Sequence, residues 1–140
     1  MSTQITRKLE IDAGHRLMRH DGKCKNLHGH RYVFELTLEA DALDEVGRVV
    51  DFGVVKAVVG KWLDDTFDHG FIVESGDPIS SAIQADGTKL VVLDCAPSAE
   101  NLARVVFENA VRLLSVHGEG LRVVRVRCHE TPNCSADYAP

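Results

Sequence analysis

The sequence contains no apolar run near the roughly 20 residues that a membrane-spanning helix requires. It has no Cys-x-x-Cys pair, no internal repeat, no low-complexity tract and no linker-like stretch. Positive charge is not in excess: 16 Lys and Arg against 21 Asp and Glu leave a formal net charge of −5. That balance argues against a general nucleic-acid binder, which neutralises phosphates with clustered cations. It leaves room for an anionic small substrate, which needs only a few local cations. Met1 to Glu10 is polar and alternating, unlike a signal peptide or a lipidation site, so a cytoplasmic protein with no membrane partner is expected. The cysteines Cys24, Cys95, Cys128 and Cys134 lack the close pairs of a structural zinc knuckle, and a cytosolic chain of this size rarely uses disulfides. Most of these thiols read as small buried side chains, with Cys24 the exception.

What is present fits one α+β domain over residues 1–140, long enough to bury a core without staples. Thr3 to Asp12 alternates, with Ile5, Leu9 and Ile11 on one face. His30 to Ala40 repeats the pattern, with Tyr32, Phe34, Leu36 and Leu38 opposite Arg31, Glu35, Thr37 and Glu39. Period-two alternation of this kind predicts strands with one face on a core. Gly53 to Phe67 places Val55, Val58, Val59 and Trp62 at helical spacing. Phe71 to Thr88 is rich in Gly, Pro, Ser and Asp and reads as a long, partly irregular loop, followed by a short strand over Lys89 to Asp94. A helix begins after Pro97, with Ser98 as N-cap, Glu100 in its first turn and a stripe of Leu102, Val105, Val106, Ala110, Leu113 and Leu114. Leu121 to Glu130 is a further strand, and a short one follows Asn133. The expected order is ββααββ.

Leu27-His28-Gly29-His30 carries the chemistry. Residues two apart in an extended strand project to the same side, so His28 and His30 can converge on one ion. His15, at the end of the preceding strand, can supply a third imidazole from a neighbour. Three neutral imidazoles with one open position describe a catalytic zinc site that polarises a bound oxygen or acidifies a hydroxyl. His-x-His alone is a common pair with many bland explanations; His20 and His117 read as surface or loop residues.

His15-Arg16-Leu17 followed by Cys24-Lys25-Asn26-Leu27-His28-Gly29-His30 resembles the signature of the 6-pyruvoyltetrahydropterin synthase and 6-carboxytetrahydropterin synthase superfamily. Gly47-Arg48-Val49-Val50-Asp51-Phe52, Asp68-His69, Pro97-Ser98-Ala99-Glu100-Asn101-Leu102 and Glu130-Thr131 resemble its later segments, in order, over almost the whole chain. The resemblance implies the tunnelling fold: a four-stranded antiparallel sheet with two helices on one face, its subunits joined into barrels as a homotrimer or homohexamer. It also implies Zn2+ on His15, His28 and His30. Cys24 would be the catalytic thiol, and Asp68 with His69 a proton-transfer pair acting across a subunit boundary. Glu130, with Thr131 beside it, would bind the pterin. Each role suits its chemistry: thiols are activated by nearby positive charge, Asp orients an imidazole, and a carboxylate accepts two hydrogen bonds from a pterin edge. Read without the resemblance, Cys24 is an inert loop thiol, Asp68-His69 a helix-ending turn and Glu130 a surface residue. Glu100 reads as a helix-start residue and Asp51 as structural. Two departures stand out: the segment from Phe71 to Cys95 is longer than the resemblance leads one to expect, and Cys134 replaces an expected Ser or Thr.

Three residues separate Cys24 from His28. That compact spacing resembles the bacterial 6-carboxytetrahydropterin synthases of the queuosine pathway, whereas the pyruvoyl-forming enzymes usually have a longer gap. The implied reaction converts 7,8-dihydroneopterin triphosphate to 6-carboxytetrahydropterin, acetaldehyde and triphosphate. The alternative is triphosphate elimination that keeps the side chain as a pyruvoyl group. An unrelated zinc hydrolase would need further His and Asp ligands in a longer chain. A non-catalytic zinc module would leave Cys24, Asp68, His69 and Glu130 without a common purpose.

Overall fold

The computed structural model describes residues 2–140. Strand β1 (Gln4–His15) and strand β2 (His28–Glu39) form an unbroken antiparallel pair from Gln4 opposite Glu39 to His15 opposite His28. The alternating sequence fixes which face each side chain takes, because a one-residue slip would carry the whole apolar set into solvent. Leu9, Ile11 and Ala13 of β1 and Tyr32, Phe34, Leu36 and Leu38 of β2 are buried on one face. Strand β5 (Arg122–Thr131) pairs antiparallel with β2, and β6 (Cys134–Tyr138) with β5.

Two helical layers cover the apolar face. The first runs through α1 (Phe52–Val55), a π-helical turn (Lys56–Gly60) and α2 (Lys61–Thr66), burying Val55, Val59 and Leu63, with Val58 and Trp62 only half-buried. Asp51 caps it, accepting from the Gly53 N–H at 2.8 Å, the structural role expected of it. The second, α4 (Ala99–Leu114), starts where Ser98 accepts from the Asn101 N–H at 3.2 Å. Its buried residues are Leu102, Ala103, Val106, Phe107, Ala110 and Leu114, so the true stripe lies slightly round from the expected one and leaves Val105 and Leu113 half-buried.

The segment after Asp68-His69 is not a loop. It forms β3 (Phe71–Glu74), α3 (Ile79–Asp86) and β4 (Leu90–Leu93). β3 pairs parallel to β1 at Gly14 and His15, and β4 pairs parallel to β3 along its length. The sheet therefore has six strands, in the order β4-β3-β1-β2-β5-β6, and is mixed. The four-stranded antiparallel sheet expected from the sequence is its β1-β2-β5-β6 part. The short strand expected over Lys89 to Asp94 is β4; β3 and α3 escape a pattern reading because β3 is four residues long and α3 buries no residue, so neither leaves a clear period. Among the described residues, no helix is long and apolar enough to cross a membrane.

Candidate metal centre and active site

The register of β1 and β2 sets His15 directly opposite His28, and His30 lies one same-face step further along β2. All three continue the core-facing rows at the open end of the sheet. Each offers a ring nitrogen, and these atoms lie within 4.8 Å of one another. Gly14 and Gly29 sit opposite each other between the histidines. A Cβ on Gly14 would meet the Phe71 ring at 2.6 Å, so only glycine lets β3 approach there.

Backbone carbonyls orient the rings. His15 Nδ1 is 2.7 Å from Pro97 O, and His28 Nδ1 is 2.7 Å from Asn26 O. A carbonyl oxygen only accepts, so both Nδ1 atoms carry protons, and in the neutral rings that a metal binds both Nε2 atoms are then bare. Yet His15 Nε2 and His28 Nε2 face each other at 3.1 Å. Two lone pairs at that distance repel unless a cation lies against both. His30 Nε2 is buried without a protein hydrogen bond. Glu130 Oε1 lies 3.4 Å from it, within ion-pair reach but without hydrogen-bond geometry. Burial pushes His15 below the ordinary imidazole range, against the pull of Pro97 and Glu130, and the nearby imidazoles lower it further. Burial also lowers His30, against Glu130. Imidazoles with inward ring nitrogens, two of them with outer nitrogens fixed by carbonyls, suit a borderline-soft divalent cation, which binds the neutral ring. The donor set fits zinc.

Glu130, on the core-facing side of β5, lines a cleft of about 310 Å³ with Glu100 and Ser135. Thr131 points to the opposite side and lines a different cleft, with Lys8 and Arg31, while its hydroxyl accepts from the Asn133 N–H at 3.2 Å. Cys24 is half-buried on a short 3-10 turn (Lys23–Lys25) within the β1–β2 connection. Asp68 and His69 follow the first helical layer, with His69 Nδ1 2.8 Å from Asp68 Oδ2. Asp68 Oδ1 accepts from the Asp12 N–H at 2.9 Å, and the His69 N–H donates to Asp12 O at 2.7 Å. Burial pushes the Asp68 carboxyl up, but the Asp12 N–H and His69 outweigh it and hold it below the usual range. His69 adopts a left-handed backbone at φ 58, uncommon for a non-glycine residue and frequent at functional sites. Its side chain is 77% exposed and lines a cleft of about 440 Å³ that His30 and Arg31 also line. His20 and His117 are exposed.

Sequence pattern does not mark the Tyr32 ring, which packs edge-on against His15 and His30 at centroid distances of 5.8 and 5.5 Å. Its same-face position after His28 and His30 is the signal that would have found it. The carbonyls of Asn26 and Pro97 carry no sequence signal at all.

The sequence profile of 6-pyruvoyl tetrahydropterin synthase matches residues 4–140. The chain belongs to that family. It is 42% identical over 133 residues to a 6-carboxy-5,6,7,8-tetrahydropterin synthase of Rickettsia bellii, covering 94% of this chain and 96% of the relative. A protein of Halobacterium salinarum named probable 6-carboxy-5,6,7,8-tetrahydropterin synthase is 42% identical over 132 residues, covering 93% of this chain and 82% of the relative. Among solved structures, WS1659 of Wolinella succinogenes superposes with a TM-score of 0.85 at 22% identity, covering 99% of this chain and 98% of that one. The 6-pyruvoyl tetrahydropterin synthase of Caenorhabditis elegans gives 0.72 at 24%, covering 100% and 96%. The fold is the family's tunnelling fold, and the chain is an enzyme of the tetrahydropterin synthase family.

Proposed function

We propose that this chain is a zinc-dependent, cytoplasmic 6-carboxy-5,6,7,8-tetrahydropterin synthase, converting 7,8-dihydroneopterin triphosphate to 6-carboxytetrahydropterin, acetaldehyde and triphosphate in queuosine biosynthesis. The observation that carries the catalytic reading is the convergence of three imidazoles with two bare nitrogens held face to face. The choice of product rests on relatives of that name, 42% and 40% identical over nearly the whole chain, and on the short Cys24–His28 spacing.

His15, His28 and His30 would hold zinc, which supplies Lewis-acid polarisation of a substrate oxygen. Glu130, beside His30, accepts hydrogen bonds from the amino and ring N–H edge of the pterin. Cys24 exchanges a proton with the substrate side chain. Asp68 keeps His69 in the tautomer with Nδ1 protonated, leaving Nε2 to accept a proton. Thr131 belongs with Glu130 only through its backbone, since its side chain faces away.

The exposure of His69 supports a site shared between copies of the chain. Two sheet edges favour the same reading. β1 pairs with β3 only at Gly14 and His15, so residues 4–11 have no strand on their outer side, and β6 ends the sheet at the other side. Open edges are templates for pairing with another chain.

Incubating the zinc-loaded protein with 7,8-dihydroneopterin triphosphate and identifying products by mass spectrometry tests the proposal. Acetaldehyde with 6-carboxytetrahydropterin is the expected result. A pyruvoyl product without acetaldehyde assigns the sister reaction, and an unconsumed substrate refutes both.

A further inference from the structure

The segment Phe71 to Cys95, longer than the family resemblance leads one to expect, is fastened to the neighbourhood of the histidine cluster at several points. Gly14 and His15 pair with Phe71 and Ile72. Pro97, two residues after the segment, presents the carbonyl that orients His15. Arg16, the next residue after His15, grips Asp77 with two nitrogens: Nε donates to Oδ2 at 2.8 Å and Nη2 to Oδ1. Asp77 is only 3% exposed and forms the corner between β3 and α3, where Oδ1 also accepts from the Ile79 N–H at 3.0 Å. Arg19 makes a second, exposed pair with Glu74.

The connection continues into the loop. Next to Arg16, the Leu17 N–H donates to Cys24 O at 2.8 Å, closing the loop on itself, and His20 N donates to Leu17 O at 2.9 Å. From Asp77 the path to Cys24 is thus a two-point ion pair, one peptide unit and one hydrogen bond.

We infer that Asp77 is a positioning residue: through Arg16 it fixes the loop that carries Cys24 against the histidine cluster. A buried carboxylate is a poor device for stability alone, because desolvation offsets much of its attraction to Arg16; conformational specificity is the better-suited use. A planar guanidinium held at two nitrogens fixes direction as well as distance; Arg19 grips Glu74 at two nitrogens as well, but Arg19 is exposed there, whereas the Arg16–Asp77 pair is shielded from water.

The inference rests on the catalytic role proposed for Cys24, but one readout is independent of substrate. Asp77→Asn keeps the shape of the side chain and removes its charge. In the zinc-loaded protein, the rate of iodoacetamide alkylation at Cys24, followed by mass spectrometry of its peptide, should change at least about threefold, with Cys134 alkylation as internal control. Metal content should stay at that of wild type. Where wild type turns over substrate, kcat should fall about tenfold or more with KM nearly unchanged, the mark of a displaced catalytic group rather than weaker binding. If Asp77→Asn does not fold, Arg16→Lys, which keeps charge but loses the two-point grip, carries the same expectations. Unchanged Cys24 reactivity in a folded variant overturns the inference. So does loss of metal, which would place the role of Asp77 at His15 instead.

Discussion

At the scale of single residues, the bare nitrogens of His15 and His28 impose the strongest constraint. Their outer nitrogens are committed to carbonyls, so neither ring can turn its proton inward without breaking a bond at 2.7 Å. His28→Ala should therefore lower bound zinc from about one per chain to near none while leaving the fold intact, as read by metal analysis and circular dichroism. Full zinc occupancy in that variant would contradict the ligand set. Glu130 distinguishes a pterin enzyme from a generic zinc enzyme. In the proposed role its carboxylate would meet two donors on a pterin edge, and charge-assisted hydrogen bonds of this kind contribute about 1.5–3 kcal/mol. Glu130→Gln should weaken substrate use at least about tenfold without changing zinc content. Wild-type kinetics and pterin titration would remove that role. The sequence made His28 and His30 legible because strand parity is strict. It offered His15 as a candidate from the end of the preceding strand and needed the resemblance to join it to the pair, since its place opposite His28 depends on a register of twelve paired residues. Asp77 was illegible: its partner lies 61 positions away, and a lone Asp in a Gly- and Pro-rich stretch reads as a turn.

Among elements, β1, β2, β5 and α4 were readable because each repeats its period over ten or more residues, enough for burial to leave a trace. β4 was expected as a short strand over Lys89 to Asp94, but β3 was not readable, being four residues long and placed by pairing with β1 and β4 rather than by its own pattern. The face of the sheet away from the helices shows a second logic, built on charge. Glu35 on β2 accepts from His129 Nε2 of β5 at 2.7 Å, with Lys8 and Arg127 nearby. The His129 bond holds Glu35 below the ordinary carboxylate range despite partial burial, and the charges of His129, Lys8 and Arg127 add to it. A carboxyl lowered by folding contributes stability that is present above its unfolded value near 4.5 and is lost as pH falls through its folded value. Glu35→Gln should therefore flatten the acid limb of the stability curve below about pH 5. Urea midpoints measured between pH 7 and pH 3 check this; an acid limb as steep as wild type would show that the pairing adds nothing.

At the scale of the whole molecule, the placement of His69 matters most. Within one chain it is largely exposed, pinned to the edge of β1 by the hydrogen bonds between Asp68-His69 and Asp12, and it lines a different cleft from Glu130. The proton-transfer role proposed for His69 does not suit such exposure unless another copy of the chain covers it. If copies join head to tail around a closed ring, each site takes Cys24 from one chain and His69 from the next. Cys24→Ala and His69→Ala variants, each inactive alone, should then complement one another. Mixed at equal amounts through unfolding and refolding, they give a competent site whenever a chain with intact Cys24 precedes one with intact His69. Random ring closure makes that about one site in four, since each of the two conditions is met about half the time. The mixture should recover about a quarter of wild-type turnover, and light scattering should give a trimer or a hexamer. A mixture as inactive as its components, or an active monomer, would place both groups in one chain and end the shared-site reading.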